Sequence, residues 1–235
     1  MNIFFPKAVA TLTFLFACSA HAAYINVQFS SNYPNQGNNF SGGAVIGNAG
    51  DQWNYFTASG GSASLNDTSG AATAVTMNFN AQGAWTLGGS SPFNSTPYVA
   101  LMNSFLYTQG TPVSVMLSGL AANSGFSLYI YGDSDQVAGY GENFNVNGAT
   151  QTALQDYAST FIANDNYTLF TGTADNAGVI NITAAIPSGR YQAMINGLQL
   201  VTTDVPEPFS AAIFATGLLA LLGVRRRALG NHPIG

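Results

Sequence analysis

Short stretches in which apolar and polar residues alternate run through most of this chain. Residues 24–29 place Ile25, Val27 and Phe29 on a common face, and residues 74–79 do the same with Val75, Met77 and Phe79. Val113, Val115 and Leu117 repeat the pattern, as do Phe126, Leu128 and Ile130. Further runs cover residues 168–173, 179–185 and 191–201. A period of two is the period of a β-strand with one buried face. Each run is bounded by Gly, Asn, Asp or Pro, the residues that end strands and make turns. Residues 97–107 alone predict a short helix, with Pro97 near its first turn. Pro112 enters a strand at its first position, where its missing donor does little harm, and Gly197 inside the last run predicts a bulge. No fixed-period repeat is present. The ordering predicts an all-β chain, a single antiparallel β-sandwich of jelly-roll type over residues 23–204.

The two ends follow a different pattern. Lys7 precedes an apolar run over residues 8–17, and Ser19-Ala20-His21-Ala22 supplies small residues at −3 and −1. That is a secretory signal peptide over residues 1–22, read by Ala20 and Ala22 and cut after Ala22. Leu15-Phe16-Ala17-Cys18 loosely resembles a lipoprotein box, but Phe16 is bulky where such boxes take a small residue. Ordinary cleavage is the favoured reading, and it leaves no cysteine for a disulfide, a thiolate metal site or a nucleophile.

At the other end, Val205-Pro206-Glu207-Pro208 interrupts the chain, residues 209–224 carry no charge, and Arg225, Arg226 and Arg227 follow. The prolines separate the domain from what comes next. Sixteen residues rise about 24 Å as a helix against a hydrocarbon core of about 30 Å, a marginal span. The arginines should hold their end in the cytoplasm.

Pro-Glu-Pro, apolar helix and Arg cluster over residues 205–235 together resemble the PEP-CTERM sorting signal of Gram-negative bacteria. The resemblance implies recognition of Pro206, Glu207 and Pro208 by an exosortase-type membrane protease that removes the helix. It also implies transient inner-membrane association through residues 209–224, and a final place at the cell surface or outside the cell. Such proteins are associated with exopolysaccharide and biofilm. Residues 228–235, beyond the arginines, depart from the usual end of such tails. The alternative is a plain single-pass anchor.

Charge narrows the function of residues 23–204. Arg190 is their one basic side chain; His21 and His232 fall outside. Nine carboxylates stand against it, a net charge of −8. Nucleic-acid binding needs cations for the phosphates, so no nucleic-acid partner is expected. A His-dependent triad and a His-rich zinc site lack their residues. Phosphate-bearing cofactors lack a Gly-rich loop with its Lys. Carboxylate chemistry and oxygen-ligated calcium remain, with no cofactor certain.

Three segments, residues 47–56 (GNAGDQWNYF), 126–133 (FSLYIYGD) and 195–201 (INGLQLV), are similar to those of galactose-binding-like, carbohydrate-binding jelly-roll modules. The resemblance implies a sugar-binding domain and transfers no ligand residue. Asp133, Asp135 and Glu142 form the densest acidic cluster, with Tyr131 and Tyr140 beside them. Hard oxygen ligands in that pattern suit calcium, and the two rings suit stacking on a sugar. The spacing is not that of an EF-hand, because position 12 counted from Asp133 is Phe144. The other reading is a solvated turn. Trp53 and Tyr55 alternate within Asp51-Gln52-Trp53-Asn54-Tyr55. They are read first as core aromatics and second as sugar contacts, and Trp85 is read as core.

The chain is therefore expected to be a non-enzymatic surface or matrix protein that binds exopolysaccharide, with no catalytic residue assigned. The alternatives are a hydrolase or lyase acting on polysaccharide through carboxylates, and an adhesive matrix protein with no small ligand. Replacing Pro206-Glu207-Pro208 by alanines should hold the protein in the inner-membrane fraction, whereas the unaltered chain reaches the surface or medium. Equal distribution of the two in fractionated cells would remove the sorting reading.

Overall fold

A computed structural model describes residues 21–32, 38–135, 138–155 and 157–205. Cys18, Ala20, the Pro-Glu-Pro motif, the apolar run and the Arg cluster lie outside the described residues. The elements are, in order, β1 (His21–Phe29), β2 (Asn54–Phe56), β3 (Gly60–Asn66), β4 (Ala72–Asn80), β5 (Gly83–Thr86), α1 (Val99–Met102), β6 (Ser104–Thr108) and β7 (Val113–Ser118). They continue with β8 (Gly125–Tyr131), β9 (Glu142–Val146), β10 (Ala149–Ala153), β11 (Tyr167–Thr173), β12 (Ile180–Ala185), β13 (Ala193–Ile195) and β14 (Gly197–Val205).

Two large sheets make the sandwich. One has the order β11-β8-β14-β1-β2 and the other β10-β9-β12-β7-β4-β3. A small third sheet, β13-β6-β5, stands beside them. Pairing is antiparallel except between β1 and β2. The predicted apolar faces meet in one core: Ile25, Val27 and Phe29 from β1, Val75, Met77 and Phe79 from β4, and Leu128 and Ile130 from β8. Val113, Val115 and Leu117 of β7 and Leu198 and Leu200 of β14 complete it. Each such side chain stabilises the fold by about 1.5–3 kcal/mol relative to an exposed one. The expected β-sandwich is what forms.

The opposite face of the five-stranded sheet is also covered. Asn26, Gln28 and Gln199 are buried there. Gln28 donates to the Asn38 and Ala100 carbonyls at 2.8 and 2.6 Å and accepts from the Phe40 N–H at 2.7 Å. Gln199 donates to the Tyr24 hydroxyl, Asn26 Oδ1 and the Ile46 carbonyl at 2.7, 2.9 and 3.2 Å. A second aromatic cluster of Phe40, Trp53, Phe93, Leu101, Met102 and Tyr131 packs over this layer.

Two expectations require correction. The helix expected over residues 97–107 is one turn, α1; after it the chain becomes β6, which hydrogen-bonds to β13 and β5. Cross-strand pairing there outweighs a helical start that no side chain caps. The strand expected over residues 191–201 is two strands in different sheets, divided at Asn196. Gly197 is therefore not a bulge but a crossing point. A Cβ on it would lie 2.5 Å from the Val27 carbonyl oxygen and 3.0 Å from Leu101 Cδ1.

Gly197→Ala should lower stability by about 1–3 kcal/mol through this backbone collision. Gly89→Ala, where a Cβ meets nothing within 4 Å, should stay within about 0.5 kcal/mol of the wild type. Matching denaturant midpoints for the two variants would refute the close approach.

Candidate functional site

The small sheet and the segment that follows β8 frame an open cleft of about 300 Å³. Trp85 on β5, Tyr107 on β6, Gln109, Asp135, Tyr140 and Gln192 line it, together with Leu87, Phe105 and Ser134. Trp85 sits opposite Phe105 in the β5–β6 register and is 38% exposed, whereas Phe105 is buried. Tyr107 lies across from Gly83, and a Cβ on Gly83 would come within 2.6 Å of its ring. The glycine makes the room that the ring occupies.

Tyr140 forms an isolated parallel bridge with Gln192, which fixes one wall against the sheet. Its ring meets Tyr191 edge-on at 5.0 Å, and Tyr191 itself is half exposed at the rim. Burial first, then Tyr191 and Asp135, push the Tyr140 phenol up to about 12, so it remains a neutral donor at physiological pH. Gln109 Nε2 donates to Gln192 Oε1 at 3.1 Å. The Asp135 carboxylate accepts from Ser134 Oγ at 3.2 Å and from Ser90 Oγ at 3.3 Å.

Next to the cleft lie acids of a different kind. The alternation of β9 turns Glu142, Phe144 and Val146 inward, so a carboxyl occupies an apolar position. Glu142 Oε1 accepts from Gln155 Nε2 at 2.5 Å and from the Met194 N–H at 3.3 Å, while Oε2 has no hydrogen bond. Gly132 lets it in, since a Cβ there would lie 2.9 Å from Oε2. Gln155 holds its position with φ of +55°, a left-handed conformation unusual for a side chain of that size. Burial, and then the nearby Asp133, raise the Glu142 carboxyl well above the usual carboxylate range. Asp133 is buried too; its Oδ1 accepts from the Ser134 N–H at 2.8 Å and its Oδ2 accepts nothing. Burial pushes it up to about 8, with Asp165 and Asp135 adding to the effect and the Ser134 bond opposing it.

Of the residues singled out from the sequence, Asp135 and Tyr140 come together in the cleft. Tyr131 does not: it is fully buried, donates its hydroxyl to Gln199 Oε1 and accepts from the Val45 N–H at 3.1 Å. Trp53 is core, its ring 5.3 Å from Phe40 and its indole N–H on the Gly42 carbonyl at 2.9 Å. Neither ring has a face free for a sugar. Tyr55 is half-buried on β2, the edge of the five-stranded sheet, with its hydroxyl on Ser30 Oγ at 3.2 Å. Trp85 reverses its expected place and is the exposed indole.

Asp133 and Glu142 are buried, whereas Asp135 lines the cleft. Among the described residues, no group of three or more His, Cys, Asp or Glu side chains is placed to hold a metal ion. Tyr107, Gln109 and Gln192 escaped the sequence reading. The first lay in the segment expected to be helical, and nothing local marks an amide as facing a cleft.

No protein-family model matches the chain, and no curated protein sequence does. Among solved structures, the chain is similar to the plant receptor-like kinase ANX2, with 12% identity over 65% of this chain and 57% of that one and a TM-score of 0.40. It is also similar to a family 35 carbohydrate-binding module from Clostridium thermocellum, with 13% identity over 40% of this chain and 76% of the module and a TM-score of 0.29. A third likeness is an exo-β-1,3-galactanase from Phanerochaete chrysosporium, with 12% identity, 58% and 36% coverage and a TM-score of 0.30. At these levels no residue role passes from them to this chain.

The buried acids set a pH dependence. Folded Asp133 holds its proton more tightly than the unfolded chain does, so its contribution is complete below the ordinary value of 3.8 and is lost as pH rises towards about 8. Glu142 acts in the same direction. Stability should therefore fall from pH 5 to pH 8 by up to about 1.4 kcal/mol per pH unit for each such group. Asp133→Asn, which keeps the acceptor for Ser134, should flatten the curve. A melting temperature that rises over this range would contradict the assignment.

Proposed function

We propose that this domain is a non-catalytic carbohydrate-binding β-sandwich, exported and held at the cell surface or in the extracellular matrix. One observation carries the reading: an open cleft lined by the rings of Trp85, Tyr107 and Tyr140 together with Gln109, Gln192 and Asp135. Aromatic faces stack on the apolar faces of sugar rings, and amides and a carboxylate match hydroxyl groups. Support for a non-catalytic role is that Glu142 and Asp133 are buried, and that Asp135 is the one acid among the described residues lining the cleft.

The position of the ends agrees with surface display. His21 pairs with Val205, so the signal junction and the tail junction lie together. Cleavage after Ala22 would leave β1 paired from Ala23 onward. β14 begins at Gly197, close to the cleft, and its nine residues carry the chain about 26 Å to Val205. A tethered tail thus leaves from the end remote from the cleft.

Trp85→Ala should weaken binding to a recognised oligosaccharide by about tenfold or more, the loss of roughly 1.4 kcal/mol of stacking, and should leave the melting temperature nearly unchanged. Titration calorimetry against plant, algal and biofilm oligosaccharides measures it. Wild-type protein that binds none of them, or a variant that binds as well as wild type, would overturn the reading.

A further inference from the structure

The charge of the described cleft lining bears on the class of sugar, and the inference rests on the carbohydrate reading above. Among the described residues of the lining, Asp135 is the one acidic side chain, and none is Lys, Arg or His. Its carboxylate receives two hydroxyls at 3.2 and 3.3 Å, both longer than the usual range of about 2.5–3.0 Å for O–H donors. An ionised carboxylate has about four acceptor positions, so capacity remains for a stronger donor. Tyr140 stands close enough for Asp135 to bear on its phenol. The Trp85 and Tyr107 rings add π faces, which attract cations as well as apolar surface. Gln109 uses its amide N–H on Gln192, and that bond leaves its carbonyl oxygen unspent.

Anionic sugars meet the opposite arrangement. The one arginine of the domain, Arg190, is absent from the lining and acts on buried Glu142. A uronate or a sulfated sugar would bring its charge to a carboxylate with no cation among the described lining residues. The whole domain, with nine acids to one base, repels such polymers at longer range.

We propose that the cleft selects glycans bearing free amines, with the ammonium of a hexosamine unit on the Asp135 carboxylate and its ring against Trp85 and Tyr107. A charge-assisted hydrogen bond of this kind favours the amine over its N-acetylated form by about ten- to a hundredfold. Three tetrasaccharides test it on the full-length protein: glucosamine, N-acetylglucosamine and galacturonate.

The expected order is glucosamine tightest, N-acetylglucosamine weaker by tenfold or more, and galacturonate without measurable binding. The glucosamine affinity should fall with added salt. Asp135→Asn, checked for an unchanged near-ultraviolet circular dichroism spectrum, should abolish the preference between the first two sugars. Equal affinities for the amine and the N-acetyl form in the wild type, or galacturonate bound as tightly as glucosamine, would overturn the amine selectivity and leave the sugar site standing. Failure of all three, together with the wider oligosaccharide panel, would remove the sugar site and this inference with it.

Discussion

The architecture turns on one buried amide. Asn196 stands between β13 and β14, where the chain passes from the small sheet to the five-stranded one. Its N–H reaches the Tyr131 carbonyl at 2.9 Å and its carbonyl receives the Phe29 N–H at 2.8 Å. Its side chain accepts from the Asp133 N–H at 2.7 Å and donates to the Met102 and Ser104 carbonyls at 3.1 and 3.0 Å. β1, the end of β8, α1 and the start of β6 are thereby joined through one fully buried residue. Only an amide offers an acceptor and two donors from one side chain of this size. Its loss would strand three buried backbone groups, each at a penalty of about 1–3 kcal/mol. The loop carrying Asp133, Ser134 and Asp135 and the strand carrying Tyr107 are both referred to this point, which is why the two walls of the cleft are held together.

The same logic covers the outer face of the five-stranded sheet. Segments of irregular backbone lie over it, and their carbonyls and N–H groups have no ladder to join. Gln28, Asn26 and Gln199 supply the missing partners, so an alternating strand has apolar residues on one face and amides on the other, both buried. Buried acids are a harder case. Glu142 and Asp133 are tolerated because burial favours their neutral forms, and an isolated carboxylate at either place would be far more costly.

Much of the sandwich was legible in the sequence because burial on one face writes itself as alternation. β1, β4, β7, β8, β11 and β12 all announce themselves in this way. β3 (GGSASLN) and β10 (ATQTA) do not, for they are edge strands with mostly small or polar residues. The Asn147-Gly148 turn between β9 and β10, with φ of +48° and +94°, was a readable hairpin signal. β9 is obscured by Glu142, which breaks the apolar series at a buried position. The cleft was half legible. Asp135 and Tyr140 stand out as acid and aromatic in one Gly-rich loop, but Trp85, expected in the core, is exposed, while Trp53 is core as first read. Composition does not distinguish an indole covered by a loop from one on an edge strand; only the pairing of β5 with β6 does.

β14 gives the domain a direction. It lies between β1 and β8, paired on both sides, and runs from Asn196 to the last described residue. A load applied between a tethered tail and a glycan in the cleft would act along this strand. In that geometry the hydrogen bonds to both neighbours are sheared together rather than peeled one by one. Bonds broken in concert resist more than the same bonds broken in turn, so a central position would suit a strand that joined the proposed anchor to the proposed ligand. An edge strand such as β2 or β11, with one neighbour, would bear the same load with half the ladder. At the crossing itself, Gly197 has no room for a side chain against Val27 and Leu101, so the strand enters the centre of the sheet at close quarters.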